Sequence, residues 1–471
     1  MVHDLIITGG CVATPGSVAV MDIAVSDGRI AALGAGLAGR ERIDATGLII
    51  TPGGVDPHAH IEQMSGMGLF NADTFETATR SAAMGGTTSV ISFAAQLKGQ
   101  RLRDAMADYA ARAARGAAID HALHILISDP DVPDFEDDLR ALIKAGHRSI
   151  KLFTTYNIGL SDAAILRVLR IAGSEGALNC IHAENDAIIA DARAGLLAEG
   201  RTRPIDHAAS RPRAAEIEAV SRMCHLAELA RAPVMIFHVS TREAIAEIAA
   251  ARARGAPIWA ETCPHYLFQT EAVLDRPNME GAKWMCSPPQ RTADDQEALW
   301  AGIAAGHIQI VSSDHAPYRY DETGKFANGF DAPFPAIANG MPGLEPRLPL
   351  MFDAMVSRGR LGLAGFARLN CEAPAALYGM QAKGRIAPGY DADLVLWDPA
   401  QSRTYGADDL HDNVGYNPWE GTTVTGLPTA VFLRGQAVMR DGEYLGQPGA
   451  GRWIDRPAIG TAPRDLTGQT E

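Results

Sequence analysis

Two histidines one residue apart, in GGVDPHAH (53–60), and a lysine inside an apolar stretch, in HRSIKLFTTY (147–156), have types and spacing that could do chemistry. On an extended strand a separation of two puts the imidazoles of His58 and His60 on one face, where a chelating pair is geometrically allowed. Taken alone, the pair reads equally as an ordinary polar couple. Lys151 stands between Ile150 and Leu152, and burying an ammonium costs several kcal/mol unless it is paired. Such a lysine either snorkels to the rim of the fold or has its pKa depressed until the neutral amine is accessible. A neutral amine adds carbon dioxide: the N–C bond forms, a proton leaves, and a cationic side chain becomes an anionic bidentate ligand able to bridge two metals.

These residues need elements to hold them. Eight apolar runs between 53 and 314 read as buried strands: GGVDPH (53–58), TTSVISF (87–93), DHALHILI (120–127), SIKLF (149–153), LNCIH (178–182), PVMIFH (233–238), APIWAET (256–262) and IQIVSSD (308–314). Alanine-rich amphipathic stretches of helical length, such as 101–115 and 214–230, lie between most of them. Eight βα units predict an α/β fold built on a (β/α)8 TIM barrel, whose catalytic groups sit at the C-terminal ends of the strands. His58 and His60 end the first run, Lys151 lies in the fourth, His182 ends the fifth, His238 the sixth and Asp314 the eighth. Imidazole and carboxylate together suit zinc, manganese or iron.

Residues 4–52 and 383–440 have another rhythm, short strands with Asp-Gly and Gly-Gly turns. They predict a small β-sandwich domain built from both chain ends. The expected division is 1–52 and 381–455 for the sandwich, 53–380 for the catalytic barrel, and 456–471 for a C-terminal tail.

The 471 residues allow one large domain and a smaller one, and 47% hydrophobic with 21% charged residues is ordinary for a globular chain. A formal net charge of −14 without a basic run argues against nucleic-acid binding. No signal-peptide pattern opens the chain and no apolar run is long enough to span a bilayer, so a cytoplasmic location without membrane association is expected. The six cysteines are scattered, with no C-x-x-C pair, and suggest neither disulfides nor a zinc ribbon.

GGVDPHAH, SIKLFTTY, IHAEN, FHVS, ETCPHYL, CSPP, SSDHAP, ANGMPGLEPR, KGRIAPGYDADLVLWDP and NPWEG occur in this order. Together they resemble the cyclic-amide amidohydrolases, most closely the dihydropyrimidinase and D-hydantoinase branch, across residues 1–455. The resemblance implies a binuclear centre of two divalent ions, zinc first and manganese as an alternative. His58, His60 and Asp314 would hold one ion, and His182 and His238 the other. Lys151, as the carbon dioxide adduct, and a hydroxide would bridge them. It also implies Asp314 as general base and proton carrier, Tyr156 as oxyanion support, and Ser287 and Asn339 as the grip on a small cyclic amide. Asp56 and His315 are candidate orienters of these groups, and a homotetramer or homodimer is the expected assembly.

Within that resemblance the substrate stays open between dihydropyrimidines or 5-substituted hydantoins, allantoin and dihydroorotate. Dihydroorotases place an arginine two residues after the His pair. Here Glu62 and Gln63 follow, and Glu62 is expected to repel a carboxylate. Met64, Met67, Leu69, Phe70, Phe93 and Ile158 are expected near the mouth, which suits an apolar ring substituent over the ureido arm of allantoin. A metal-free scaffold protein of the same fold is disfavoured because all six ligand positions are filled. Two motifs mislead. GAGLAG (34–39) matches a dinucleotide fingerprint but precedes a turn and strand where a helix is required, and Cys263 with His265 lacks a third catalytic partner.

Overall fold

The computed structural model describes residues 2–457. Five strands come first: β1 (His3–Thr14), β2 (Ser17–Ser26), β3 (Arg29–Gly34), β4 (Gly39–Asp44) and β5 (Ile49–Pro52). The turn between β2 and β3 is Asp27-Gly28, both with positive φ, the conformation a two-residue hairpin requires. GAGLAG spans the β3–β4 connection and opens no helix.

Eight parallel strands follow: β6 (Gly54–Asp56), β7 (Thr87–Ala95), β8 (Asp120–Leu126), β9 (Ser149–Phe153), β10 (Leu178–His182), β11 (Val234–Ile236), β12 (Ile258–Thr262) and β13 (Ile310–Val311). Each pairs with its sequence neighbour, as consecutive βα units do. All nine residues of β7 are buried, the pattern of a strand covered on both faces. Around the ring, the helix Leu102–Gly116 turns Leu102, Ala105, Met106, Tyr109 and Ala113 inward at helical spacing. The helix Asp162–Ser174 is capped by the Ser161 side chain and buries Ile165, Val168, Leu169 and Ala172. The run expected at 214–230 is the helix Arg213–Ala230.

The ring closes beyond the last ladder residues of its first and eighth strands. Ala59 and His315 form a parallel bridge, the His60 N–H donates to the His315 carbonyl at 2.7 Å, and Ser313 Oγ donates to the His58 carbonyl at 3.1 Å. The seam of the barrel therefore runs through the residues singled out for chemistry.

The chain then returns to the first sheet with β14 (Leu394–Thr404), β15 (Thr423–Leu433), β16 (Gln436–Arg440) and β17 (Glu443–Tyr444). Antiparallel pairing of β14 with β5, Leu394 opposite Pro52 to Trp397 opposite Ile49, unites the two chain ends in a nine-stranded sheet. Ile7, Val12, Ile23, Ile50, Leu394 and Phe432 share its core. Lys383 lies between this sheet and the barrel, with its Nζ 2.5 Å from Asp120, 2.9 Å from Asp391 and 2.7 Å from Asp393.

The stretch 452–456 caps the floor of the barrel. Trp453 bridges His121, and the buried Arg456 donates to Ser149 Oγ at 2.7 Å and the Leu123 carbonyl at 2.8 Å. Arg456 thus belongs to the barrel floor, while 458–471 of the expected tail lie outside the described residues. Among the described residues no helix is long and apolar enough to cross a membrane.

Candidate metal centre and active site

β6 ends at Asp56, whose Oδ1 accepts the His58 N–H at 3.1 Å and the Ser313 N–H at 3.3 Å, while Oδ2 faces Arg347 Nε at 3.2 Å. All of these groups are buried, so Asp56 pins the ends of the first and eighth strands together. His315 assists with Nε2 to Asp73 at 2.9 Å and Nδ1 accepting the Gly343 N–H at 3.1 Å.

On that seam His58 Nε2 lies 3.0 Å and His60 Nε2 3.4 Å from the same oxygen of Asp314. The far nitrogens are engaged: His58 Nδ1 donates to Glu261 Oε1, and His60 Nδ1 to Gln63 Oε1 at 2.6 Å. A carboxylate can only accept, so Glu261 fixes the His58 tautomer and leaves Nε2 with its lone pair toward Asp314. The same logic holds on the next strands, where His182 Nε2 is tied to Glu184 Oε2 at 2.7 Å. The His182 and His238 rings are 4.5 Å apart, and His238 is 5.6 Å from His58. His238 Nδ1 is buried without a hydrogen-bond partner among the described residues.

Lys151 sits in the middle of β9, buried beneath a cavity. Its Nζ is 4.0 Å from the Phe237 ring centroid, 4.7 Å from Phe153 and 5.6 Å from Phe93. Burial brings its pKa down to about 8, against the pull of Asp314 and Glu261. Burial likewise lowers His182 to about 4, and it holds His60 below and His238 well below the usual imidazole range. His58 differs: burial pulls it down, but the charges of Asp314 and Glu261 outweigh that and raise it. Burial acts to raise Asp314 too, yet His58 and His60 keep it well below the carboxylate range. Neutral imidazoles at His60, His182 and His238, an ionised carboxylate and an amine near neutrality form a donor set suited to divalent cations, and the two carboxylates that favour a proton on His58 would favour a cation there equally. The engaged far nitrogens and the unpartnered His238 Nδ1 fit the same purpose.

Three of these site residues have left-handed backbones: His238 (φ 39°), Asp314 (φ 48°) and Tyr156 (φ 69°). Each costs on the order of 1–3 kcal/mol, a burden that concentrates at functional sites. Tyr156, Ser287 and Asn339 come from three separate loops and meet: Asn339 Nδ2 donates to Tyr156 Oη at 3.2 Å and to Ser287 Oγ. All three line a cavity of about 370 Å³ whose floor is His60, Lys151, His182, His238 and Asp314. Arg211 forms its wall, paired with Glu184 and 4.9 Å from the Tyr156 ring centroid.

The mouth departs from expectation. Met67 and Ile158 line the cavity, but Met64, Leu69, Phe70 and Phe93 do not. Phe93 lies below, stacked on His60 at 4.4 Å. Glu62 is also absent from the lining, so it exerts no direct repulsion there; Gln63 lines the cavity and is spent on His60. Cys263 contacts Ser312 at 3.6 Å and precedes the short helix Pro264–Phe268, a packing role.

Glu261, Glu184 and Arg211 are site residues that sequence reasoning missed. The signal was available for Glu261, a charge inside the apolar run IWAET, the same oddity that singles out Lys151. Glu184 and Arg211 sit in loops, where charge is unremarkable.

Residues 49–438 match the amidohydrolase family. A D-hydantoinase from Rhizobium radiobacter is 40% identical over 459 residues, covering 96% of this chain and 99% of that protein. One from Streptomyces coelicolor is 39% identical over 461 residues, covering 96% and 97%. Among solved structures, the dihydropyrimidinase from Brevibacillus agri superposes with a TM-score of 0.93 at 37% identity, covering 97% of this chain and 99% of that one. The L-hydantoinase (dihydropyrimidinase) from Arthrobacter aurescens gives 0.87 at 29% identity, covering 96% and 100%.

Proposed function

The chain belongs to the amidohydrolase family, and from that premise we propose that it opens the ring amide of dihydropyrimidines or 5-substituted hydantoins to N-carbamoyl amino acids. The observation that carries this reading is the convergence of His58, His60, Lys151, His182, His238 and Asp314 below a cavity edged by Tyr156, Ser287 and Asn339. In the proposed assignment His58, His60 and Asp314 would hold one divalent ion and His182 and His238 a second, with Lys151, as its carbamate, a ligand to both. When bound, a pair of zinc or manganese ions polarises the ring carbonyl and brings the pKa of a water toward ~7.

The protein's own groups then divide the work. Asp314 takes the proton from the attacking water oxygen as the C–O bond forms and delivers it to the ring nitrogen as the C–N bond breaks. Tyr156 Oη accepts from Asn339, which leaves its own proton free to meet the developing oxyanion. Ser287 and Asn339 hold the rest of the ring amide. Met67 and Ile158 offer apolar surface to a ring substituent.

The proposal extends to a cytoplasmic homotetramer or homodimer with chemistry confined to residues 53–380 and no nucleic-acid or membrane partner. Its test is ring opening by protein reconstituted with zinc or manganese and bicarbonate, assayed on dihydrouracil, 5-phenylhydantoin, allantoin and dihydroorotate. Turnover of either of the first two is the expected result. Turnover of allantoin alone or dihydroorotate alone would replace this substrate assignment.

A further inference from the structure

Lys325 has no part in the chemistry above, yet it is among the largest fully buried side chains of the molecule. Its ammonium donates to two backbone carbonyls, Ala338 O at 2.9 Å and Gly340 O at 2.6 Å, and among the described residues it enters no ion pair. A buried cation met only by neutral carbonyls is an expensive arrangement. The two carbonyls are those on either side of Asn339.

The Ala338 carbonyl and the Asn339 N–H belong to one peptide unit, so a cation on the oxygen strengthens the N–H as a donor. His207 makes a related contact nearby as a neutral donor, its pKa brought down to about 3 by burial. Its Nε2 donates at 2.8 Å to the Cys286 carbonyl, the oxygen of the peptide unit that carries the Ser287 N–H. The Gly340 N–H, donating to the Met285 carbonyl at 2.9 Å, ties the two segments side by side. Among the described residues neither the Ser287 nor the Asn339 N–H has a hydrogen-bond partner, and both residues line the cavity.

We propose that Lys325 is a positioning residue: its Nζ fixes and polarises the peptide whose unpartnered Asn339 N–H binds a carbonyl of the substrate ring, while His207 holds the neighbouring peptide that carries the Ser287 N–H. This rests on the cyclic-amide reading and names what holds its substrate grip in place. Burial brings the Lys325 pKa down to about 7, and ammonium and amine alike keep two N–H donors for the two carbonyls.

The test compares wild type, Lys325→Met and Lys325→Gln as metal-loaded enzymes. It reads kcat and KM on 5-phenylhydantoin and dihydrouracil, the dissociation constant of uracil by calorimetry, metal content and circular dichroism. For Lys325→Met, KM and the uracil constant are expected to rise about tenfold, the loss of a charge-assisted contact. Metal content and dichroism stay unchanged, and Lys325→Gln recovers part of the affinity through its remaining N–H donors. Values within twofold of wild type in Lys325→Met overturn the proposal, as does failure of both variants to fold, which would make Lys325 a folding residue only. A wild type silent on every cyclic amide would instead remove the functional reading, and this inference with it.

Discussion

His58 Nδ1 and Glu261 Oε1 share a hydrogen bond that is closed to solvent on both sides. Replacing Glu261 by Gln removes the acceptor-only partner that fixes the imidazole tautomer. The expected outcome is an affinity for divalent metal about 10–100-fold weaker, with the fold intact. Equilibrium dialysis against a zinc buffer checks it, and an unchanged affinity would make the pair a packing feature.

Tyr156→Phe removes a hydroxyl that contacts Asn339 but ligates nothing. A fall in kcat of about 10²-fold is expected, with metal content unchanged. Steady-state kinetics with parallel metal analysis separate this from a collapsed site, in which both would fall.

Lys383→Met removes the ammonium that Asp120, Asp391 and Asp393 share; Asp120 keeps Arg434 and Asp391 keeps Arg29, while among the described residues the buried Asp393 loses its cation. Three neighbouring carboxylates look like a cation site, but the lysine ammonium already stands among them. Loss of about 3–5 kcal/mol of stability is expected, because removing one partner leaves buried charge uncompensated. Urea unfolding measures this, and Lys383→Arg should lose less.

Acid should loosen the barrel floor. Burial, helped by the charge of Arg456, lowers His147 from 6.5 to about 4, and its ring packs on Trp453 at 4.9 Å. Below pH 6.5 the unfolded chain takes up a proton that the folded one refuses, so stability falls as pH drops from 6.5 toward 4. A contribution on the order of 2 kcal/mol is expected, after discounting for partial exposure. In His147→Asn the urea midpoint should drop less between pH 7 and pH 5 than in wild type.

The sequence and the structure agree best where one signal decides. SIKLF and LNCIH are strands with the bounds read from the sequence. The runs ending in His58, His238 and Asp314 extend past the observed strands, because these residues leave the ladder, His238 and Asp314 to line the cavity and His58 to meet Asp314 and Glu261 beneath it. Histidine and aspartate adopt a left-handed backbone more readily than most residues, but which of them do so is decided by tertiary contacts. Glu184 and Arg211 stayed hidden for a related reason: their partners lie 27 residues apart in sequence and meet only in the folded loops.

The closing bridge between Ala59 and His315 has a consequence for biosynthesis. Ser313 and the His58 carbonyl it contacts are 255 residues apart in the chain, so the amino-terminal half of the centre leaves the ribosome long before its partner exists. A chain stopped short of the eighth strand carries both histidines of the pair and cannot unite them with Asp314. Loop closure over that distance is slow relative to local helix formation. Competence should therefore arrive late and all at once, with premature fragments silent and unable to act on metabolites while still attached to the ribosome.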